Sequence, residues 1–151
     1  MAVAKCPSIA QGRRVVSSGN AGKCILIVDD EQSYGELLSQ LLSENLGLPI
    51  VAFTCPLEAL DALPELDVGA VVTDYFMPVL DGAQFIRRAA PRLPNVPFFM
   101  ITGHPLRLSD AYLEDLPALK AVVPKPFRWQ VLGTLIVEHW PEPATRPKLS
   151  A

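Results

Sequence analysis

The stretch Cys24-Ile-Leu-Ile-Val-Asp-Asp-Glu31 decides the fold class of this chain. It opens with a continuous apolar run rich in β-branched residues, which is typical of a strand buried on both faces. Acidic residues follow at once, where that strand must end. Apolar residues then recur at helical spacing from Tyr34 to Leu42, and Gly47 is placed to end the helix. The stretch therefore predicts one strand–helix unit of a parallel sheet.

The same alternation continues along the chain. Further strands are predicted at 49–53, 70–73, 96–101 and 119–123, and further helices after Cys55, after Gly82, at 108–116 and from 127 to about 140. An α/β chain of this order is expected to fold as a three-layer sandwich, with helices on both faces of a five-stranded parallel sheet. We expect the flavodoxin-like (βα)5 arrangement with strand order 2-1-3-4-5. Pro124 favours an edge position for the fifth strand, because proline cannot donate to a central ladder.

The domain limits follow from composition. Residues 23–140 are predicted to form one domain, which a chain of 151 residues with 50% hydrophobic residues can support. Residues 1–22 contain scattered glycines and serines and are expected to be a flexible leader. Residues 141–151 are interrupted by prolines, and we expect them to be a disordered tail.

Charge and cysteine content exclude several classes of protein. The formal net charge of −3 argues against a general nucleic-acid binder, and no apolar run reaches the ~18 residues of a membrane span. The three cysteines are odd in number and lack CxxC spacing, which argues against a disulfide framework or a zinc site. Cys24 and Cys55 are interpreted as small residues of the core or its edge, and this cysteine usage suits a reducing cytoplasm.

Polar side chains stand at the carboxyl ends of four predicted strands, where ligands bind in such sheets. They are Asp29, Asp30, Asp74, Thr102 and Lys125. Clustered carboxylates suit a hard cation such as Mg²⁺, and a carboxylate such as Asp74 can attack phosphorus to form an acyl phosphate. Lys125 and Thr102 can meet phosphoryl oxygens. The set therefore predicts a site for metal-assisted phosphoryl transfer.

Each of these residues also has an ordinary structural explanation. Asp30 is a candidate N-cap for the first helix, and Asp74 can begin a turn. Thr102 suits turn chemistry, and an isolated Lys125 would be a solvated side chain. The coincidence of all these residues at strand ends favours a functional site.

The motifs resemble the receiver domains of two-component response regulators, either stand-alone or within hybrid kinases. The matching pieces cover the whole domain 23–140, and they are Ile25–Glu31, Val71–Pro78 with Asp81–Gly82, Met100–Gly103 and Lys125–Phe127. The resemblance implies that Asp74 is the phosphorylated aspartate, Thr102 the switch hydroxyl and Lys125 the phosphate-binding lysine. It implies a metal site made by Asp29, Asp30, Asp74 and the backbone carbonyl of Phe76. Mg²⁺ is then the expected cofactor, with Mn²⁺ as a substitute, and the Lys125–Pro126 bond is expected to be cis.

The resemblance also implies a function. We expect a cytoplasmic signalling domain rather than an enzyme. This domain would assist its own phosphorylation and dephosphorylation. The phosphoryl donor would be a sensor histidine kinase or a histidine phosphotransfer protein. The tail is too short for a DNA-binding module, so we expect output to a downstream protein partner, without direct contact with nucleic acid or membrane. A homodimer face on helix four, strand five and helix five is weighed against the alternative that these residues only cover the sheet.

Some residues depart from the family pattern, and two other functions stay open. Val122 occupies a position that is often aromatic, while Phe76 and His104 flank the site and bear on access of water to it. A pseudo-receiver, which binds partners without phosphorylation, is one alternative, although the intact Asp74, Thr102 and Lys125 argue against it. A flavin protein is the other, but carboxylates stand where a phosphate-cradling glycine loop would be needed.

Overall fold

The computed structural model describes residues 13–16, 22–103, 113, 115–142 and 146–149. These residues build one six-stranded sheet with the order β1-β3-β2-β4-β5-β6. The strands are β1 (Arg13–Val16), β2 (Cys24–Val28), β3 (Ile50–Phe53), β4 (Val68–Asp74), β5 (Phe98–Thr102) and β6 (Leu119–Pro124). The strands from β2 to β6 are parallel to one another. The predicted order 2-1-3-4-5 of five parallel strands is confirmed.

Four helices cover the two faces of this sheet in the described residues: α1 (Gln32–Leu46), α2 (Pro56–Ala62), α3 (Gly82–Ala89) and α4 (Trp129–Glu138). Alternate residues of β2 enter two separate cores. Leu26 and Val28 pack with α2 and α3, whereas Ile25 and Ile27 pack with α1 and α4. Full burial of each such side chain stabilises the fold by about 1.5–3 kcal/mol. The three-layer sandwich is therefore held from both faces of the sheet.

The predicted leader contains a strand that the sequence did not reveal. Residues Arg13–Val16 pair antiparallel with β3, in the register Arg13↔Phe53 to Val16↔Ile50. The pairing gives the backbone groups along the outer edge of β3 hydrogen-bond partners, which a bare edge lacks. The expectation of a flexible leader is therefore wrong for these four residues. The rest of segment 1–22, apart from Gly22, lies outside the described residues.

The predicted disordered tail is also partly packed. Pro147 is buried, and Leu149 packs against the core cluster that α1 and α4 share. A Cβ added at Gly133 would lie 2.9 Å from Leu149 Cδ2, so the tail approaches the backbone of α4 closely. Proline prevents a helix here but does not prevent apolar side chains from covering one.

Two further expectations change. The predicted helix at 108–116 lies mostly outside the described residues, and Leu113, Asp115 and Leu116 within it are not helical. Cys55, interpreted from the sequence as a residue of the core or its edge, is disulfide-bonded, whereas the buried Cys24 is not part of a disulfide. An odd number of cysteines without CxxC spacing excludes a regular framework, but it leaves room for a single bridge.

Candidate phosphoacceptor site

Three carboxylates meet at the carboxyl ends of β2 and β4. One oxygen from each of Asp29, Asp30 and Asp74 lies within 4.8 Å of the others, with Asp29 and Asp74 buried and Asp30 exposed. The two strands are adjacent and parallel, so that their ends bring these residues to one edge of the sheet. The structure thus brings together the three acidic residues predicted from the sequence.

Asp29 is the most buried of these groups, at 1% exposure. Its Oδ1 accepts a hydrogen bond of 2.9 Å from the backbone N–H of Glu31. Its Oδ2 is buried and, among the described residues, has no hydrogen-bond partner. Buried polar atoms normally have a partner, and a carboxylate oxygen facing two further carboxylates suits a hard divalent cation. The donor set therefore fits the predicted Mg²⁺.

Lys125 faces two of the carboxylates. Its Nζ lies 3.6 Å from Asp74 Oδ2 and 3.7 Å from Asp29 Oδ2. Its backbone N–H donates to the carbonyl of Thr102 at 2.7 Å, and the bond to Pro126 is cis as expected. Among the described residues, the single ammonium in a site that holds three carboxyl groups does not balance their charge.

This electrostatic balance changes the protonation of two carboxyl groups. The pKa of Asp29 is raised to about 7, chiefly by burial. The charges of Asp74 and Asp30 act in the same direction, whereas the Glu31 N–H and Lys125 oppose the shift. Burial also raises the pKa of Asp74, while Lys125 lowers it. Without a cation, the site therefore favours protonation of its buried members.

Thr102 stands at the same edge of the sheet. It ends β5 one residue beyond Ile101, the ladder partner of Asp74, and it is buried. It pairs with Pro124 of β6, directly before Lys125. The register accordingly places Thr102 between the strands that carry Asp74 and Lys125. Its role as a switch hydroxyl remains a prediction.

The loop after Asp74 is tightly turned. The backbone N–H of Gly82 donates to the carbonyl of Tyr75 at 2.7 Å, and Asp81 caps α3 through a capping box with Gln84. Val79 adopts a φ of 77°, a region that is unfavourable for a β-branched side chain. Phe76 is 55% exposed, and its ring lies edge-on to Tyr75 with the ring centroids 4.9 Å apart. Metal binding by the Phe76 carbonyl remains a prediction.

The structural alternative for Asp30 is wrong. The N-cap of α1 is Glu31, and the helix has no side-chain capping hydrogen bond. Asp30 is exposed beside the two buried carboxylates. Since its side chain does not cap the helix, its position beside the cluster favours the metal-binding interpretation.

The sequence analysis missed Tyr34 as part of the site. The Lys125 Nζ lies over its ring, 4.2 Å from the centroid, and burial together with the nearby carboxylates raises its pKa to about 12. Because Tyr34 belongs to a series of apolar residues at helical spacing, the sequence predicted only a core position on the helix for it. Its position in the first turn of that helix, next to the carboxyl edge of the sheet, was the available signal.

Two of the residues that depart from the family pattern, one on β6 and one in the loop after β5, remain to be placed. Val122 is half-buried and packs against the core cluster on the α2 and α3 side. His104 lies outside the described residues.

The family model for the response regulator receiver domain matches residues 25–136. This chain belongs to that family. The receiver domain therefore has the expected fold and the expected acidic edge, and the flavin hypothesis is set aside. None of the described helices combines the length and apolar character that a membrane span requires.

Relatives and solved structures agree with this assignment. The receiver domain is 35% identical over 80 residues to the transcriptional regulatory protein FixJ of Bradyrhizobium diazoefficiens, covering 53% of this chain and 38% of FixJ. It is 30% identical over 125 residues to the sensor kinase CckA of Brucella abortus, covering 80% of this chain and 13% of CckA. The chain thus spans less than half the length of either relative.

A solved structure extends the comparison to the site. The response regulator protein TrrA of Thermotoga maritima, in complex with Mg²⁺-BeF, superposes with a TM-score of 0.69 at 25% identity, covering 78% of this chain and 99% of TrrA. That neighbour was solved with Mg²⁺ and BeF bound.

Proposed function

We propose that this receiver domain accepts a phosphoryl group on Asp74 from the phosphohistidine of a sensor histidine kinase or a histidine phosphotransfer protein. The observation that carries the proposal is the placement of the Lys125 Nζ 3.6 Å from Asp74 Oδ2, beside the buried Oδ2 of Asp29, which accepts no hydrogen bond from the described residues. A carboxylate nucleophile, a fixed cation and a buried carboxylate oxygen able to bind a metal ion are the parts that phosphoryl transfer to aspartate needs.

The transfer conserves atoms and charge in a simple way. Asp74 Oδ forms a bond to phosphorus while the P–N bond of the phosphohistidine breaks, and the electron pair of that bond returns to the imidazole. Lys125 offers its ammonium to the phosphoryl oxygens, and Thr102 is placed to offer its hydroxyl. Asp29, Asp30, Asp74 and the Phe76 carbonyl would hold Mg²⁺, or Mn²⁺ in its place. The bound ion supplies positive charge that offsets the repulsion between the carboxylates and the phosphoryl group.

The phosphorylated state would end by hydrolysis at the same site. A water molecule attacks phosphorus, the P–O bond to Asp74 breaks, and inorganic phosphate leaves. The exposed Phe76 ring stands two residues beyond Asp74, where it can limit the approach of water. The domain thus assists its own turnover without acting on a separate substrate.

We propose that the signal leaves through altered protein contacts in the cytoplasm. Receiver domains act between sensor kinases and downstream effectors, and α4 offers an exposed Val131, 47% accessible, next to Leu135. A partner or a second copy of the chain would bind the face that α4 and β6 form. We expect no direct binding of nucleic acid or membrane.

Intact mass spectrometry tests the proposal. The protein is incubated with a small phosphodonor such as acetyl phosphate, with and without Mg²⁺. One phosphoryl group should appear only with the metal, and Asp74→Asn should abolish it. Asp61→Asn changes an exposed aspartate of α2 and should leave it unchanged. A wild-type protein that takes up no phosphoryl group with Mg²⁺ and either donor, small molecule or phosphohistidine protein, would establish the pseudo-receiver alternative instead.

A further inference from the structure

Tyr34 lies in the first turn of α1 and contacts the functional lysine through the face of its ring. The Lys125 Nζ stands 4.2 Å from the ring centroid, well inside the ~6 Å range of a cation–π contact. Both side chains are partly buried, and the lysine is 21% exposed. Partial removal from water strengthens the attraction between an ammonium and an aromatic face.

The ring of Tyr34 is itself held in place. Phe127 meets it edge-on, with the ring centroids 6.3 Å apart and an interplanar angle of 70°. Lys125 and Phe127 lie two residues apart in the loop between β6 and α4, so Tyr34 is contacted by both side chains of one short segment. The backbone of that segment is fixed by the hydrogen bond from the Lys125 N–H to the Thr102 carbonyl, at 2.7 Å.

The carboxylates alone do not fix the ammonium. Its distances of 3.6 Å to Asp74 Oδ2 and 3.7 Å to Asp29 Oδ2 are nearly equal, and both exceed the usual length of a charge-assisted hydrogen bond. Attraction to two oxygens at these distances has little directional preference. The ring face supplies the third contact, and it lies on α1 rather than on the strands that carry the carboxylates.

We infer that Tyr34 is a positioning residue for phosphoryl transfer, whose ring face holds the Lys125 ammonium between the Asp29 and Asp74 carboxylates. The inference rests on the proposed function of Asp74 and Lys125. The ring acts through the lysine rather than on the reacting atoms. Its aromatic face is needed, whereas its hydroxyl is not.

The contact is tested first without any phosphoryl chemistry. In a side-chain NMR spectrum of the full chain, the ε-methylene protons of Lys125 should be shifted upfield by the ring current. Lys120, whose ammonium bonds to the Pro117 carbonyl, serves as the internal reference. The shift should persist in Tyr34→Phe and disappear in Tyr34→Leu. A Lys125 signal that coincides with that of Lys120 in the wild-type protein would overturn the inference, whatever the variants do.

The rate of phosphorylation by acetyl phosphate at saturating Mg²⁺ supplies the second readout. Tyr34→Leu should phosphorylate about fivefold more slowly than the wild type, and Tyr34→Phe should restore the wild-type rate. Leu37→Ala alters an exposed residue of the same helix and should have no effect. Equal rates for the Phe and Leu variants would overturn the inference. If the wild type takes up no phosphoryl group, the proposed function fails, and the NMR result still decides whether the ring holds the lysine.

Discussion

A side chain at Gly82 would collide with the backbone of Asp74: a Cβ built there lies 2.5 Å from the Asp74 carbonyl oxygen. The Gly82 N–H also donates to the Tyr75 carbonyl at 2.7 Å. The start of α3 is therefore seated directly against the residue that we propose as phosphoacceptor. The absence of a side chain at position 82 allows this approach.

We expect Gly82→Ala to destabilise the fold and to displace Asp74. The added methyl would overlap the Asp74 carbonyl, so the backbone must shift, and such overpacking lowers the free energy of unfolding by about 1–3 kcal/mol. Urea denaturation measures the free energy of unfolding, and intact mass measures phosphorylation in the same variant. Gly22→Ala, at a position with nothing near its Cβ, is the matched control. Unchanged stability of Gly82→Ala would contradict the close approach.

Val79 stores backbone strain in the same loop. Its φ of 77° is costly for a β-branched residue, and the side chain is 39% exposed, so that it gains little from burial. We expect Val79→Gly to stabilise the fold by about 0.5–1 kcal/mol, because relief of strain exceeds the added entropy of the unfolded chain. Val131→Gly, an exposed helical position, should instead destabilise by about 1 kcal/mol. Denaturant midpoints that move in the same direction for both variants would refute this account.

Asp29 makes the metal-free stability depend on pH. Its pKa rises from the ordinary value of 3.8 to about 7 in the folded state. Between these values the folded protein keeps a proton that the unfolded chain releases, so stability falls as the pH rises through this window. The loss of folding stability caused by ionised Asp29 is absent below about pH 4 and complete above about pH 7.

Asp29→Asn removes this titration. In EDTA, we expect the variant to be more stable than the wild type by about 1–3 kcal/mol at pH 8, with the difference shrinking towards zero near pH 4. Urea denaturation across this range measures the difference, with the exposed Asp61→Asn as the control that should stay flat. If the wild type instead became more stable relative to Asp29→Asn as the pH rises, the argument that burial raises the pKa of Asp29 would be contradicted.

Divalent cations should offset the destabilisation that ionised Asp29 causes in the metal-free protein. Ligands that bind only the folded state raise its stability by mass action, so Mg²⁺ at about 100 times its dissociation constant should add about 2.7 kcal/mol. Thermal unfolding with Mg²⁺, Mn²⁺ or EDTA measures the gain. Asp30→Asn should reduce the Mg²⁺ effect without loss of metal-free stability, since its side chain caps nothing. A large loss of metal-free stability in this variant would contradict that assignment.

The core of the fold and the acidic edge of the site could be predicted from the sequence for a physical reason. Strands such as Cys24–Val28 are buried on both faces and read as unbroken apolar runs. The parallel order then forces Asp29, Asp74 and Lys125 to the same edge. Sequence periodicity and topology together were sufficient for these residues.

The rest depended on contacts that no local pattern encodes. Arg13–Val16 forms a strand because it pairs with the edge of β3, and the pattern of those four residues does not predict this pairing. Tyr34 has the spacing of a core residue, and its role follows only from where Lys125 and Phe127 come to lie.

The packing of Leu149 over Gly133 has a practical consequence for anyone who shortens this protein. A boundary drawn after Trp140, two residues beyond the end of α4, would remove Pro147 and Leu149 and leave the Gly133 backbone open to water. An affinity tag fused at that point would sit against newly exposed apolar surface and invite aggregation. Expression boundaries for this receiver domain therefore belong beyond residue 149.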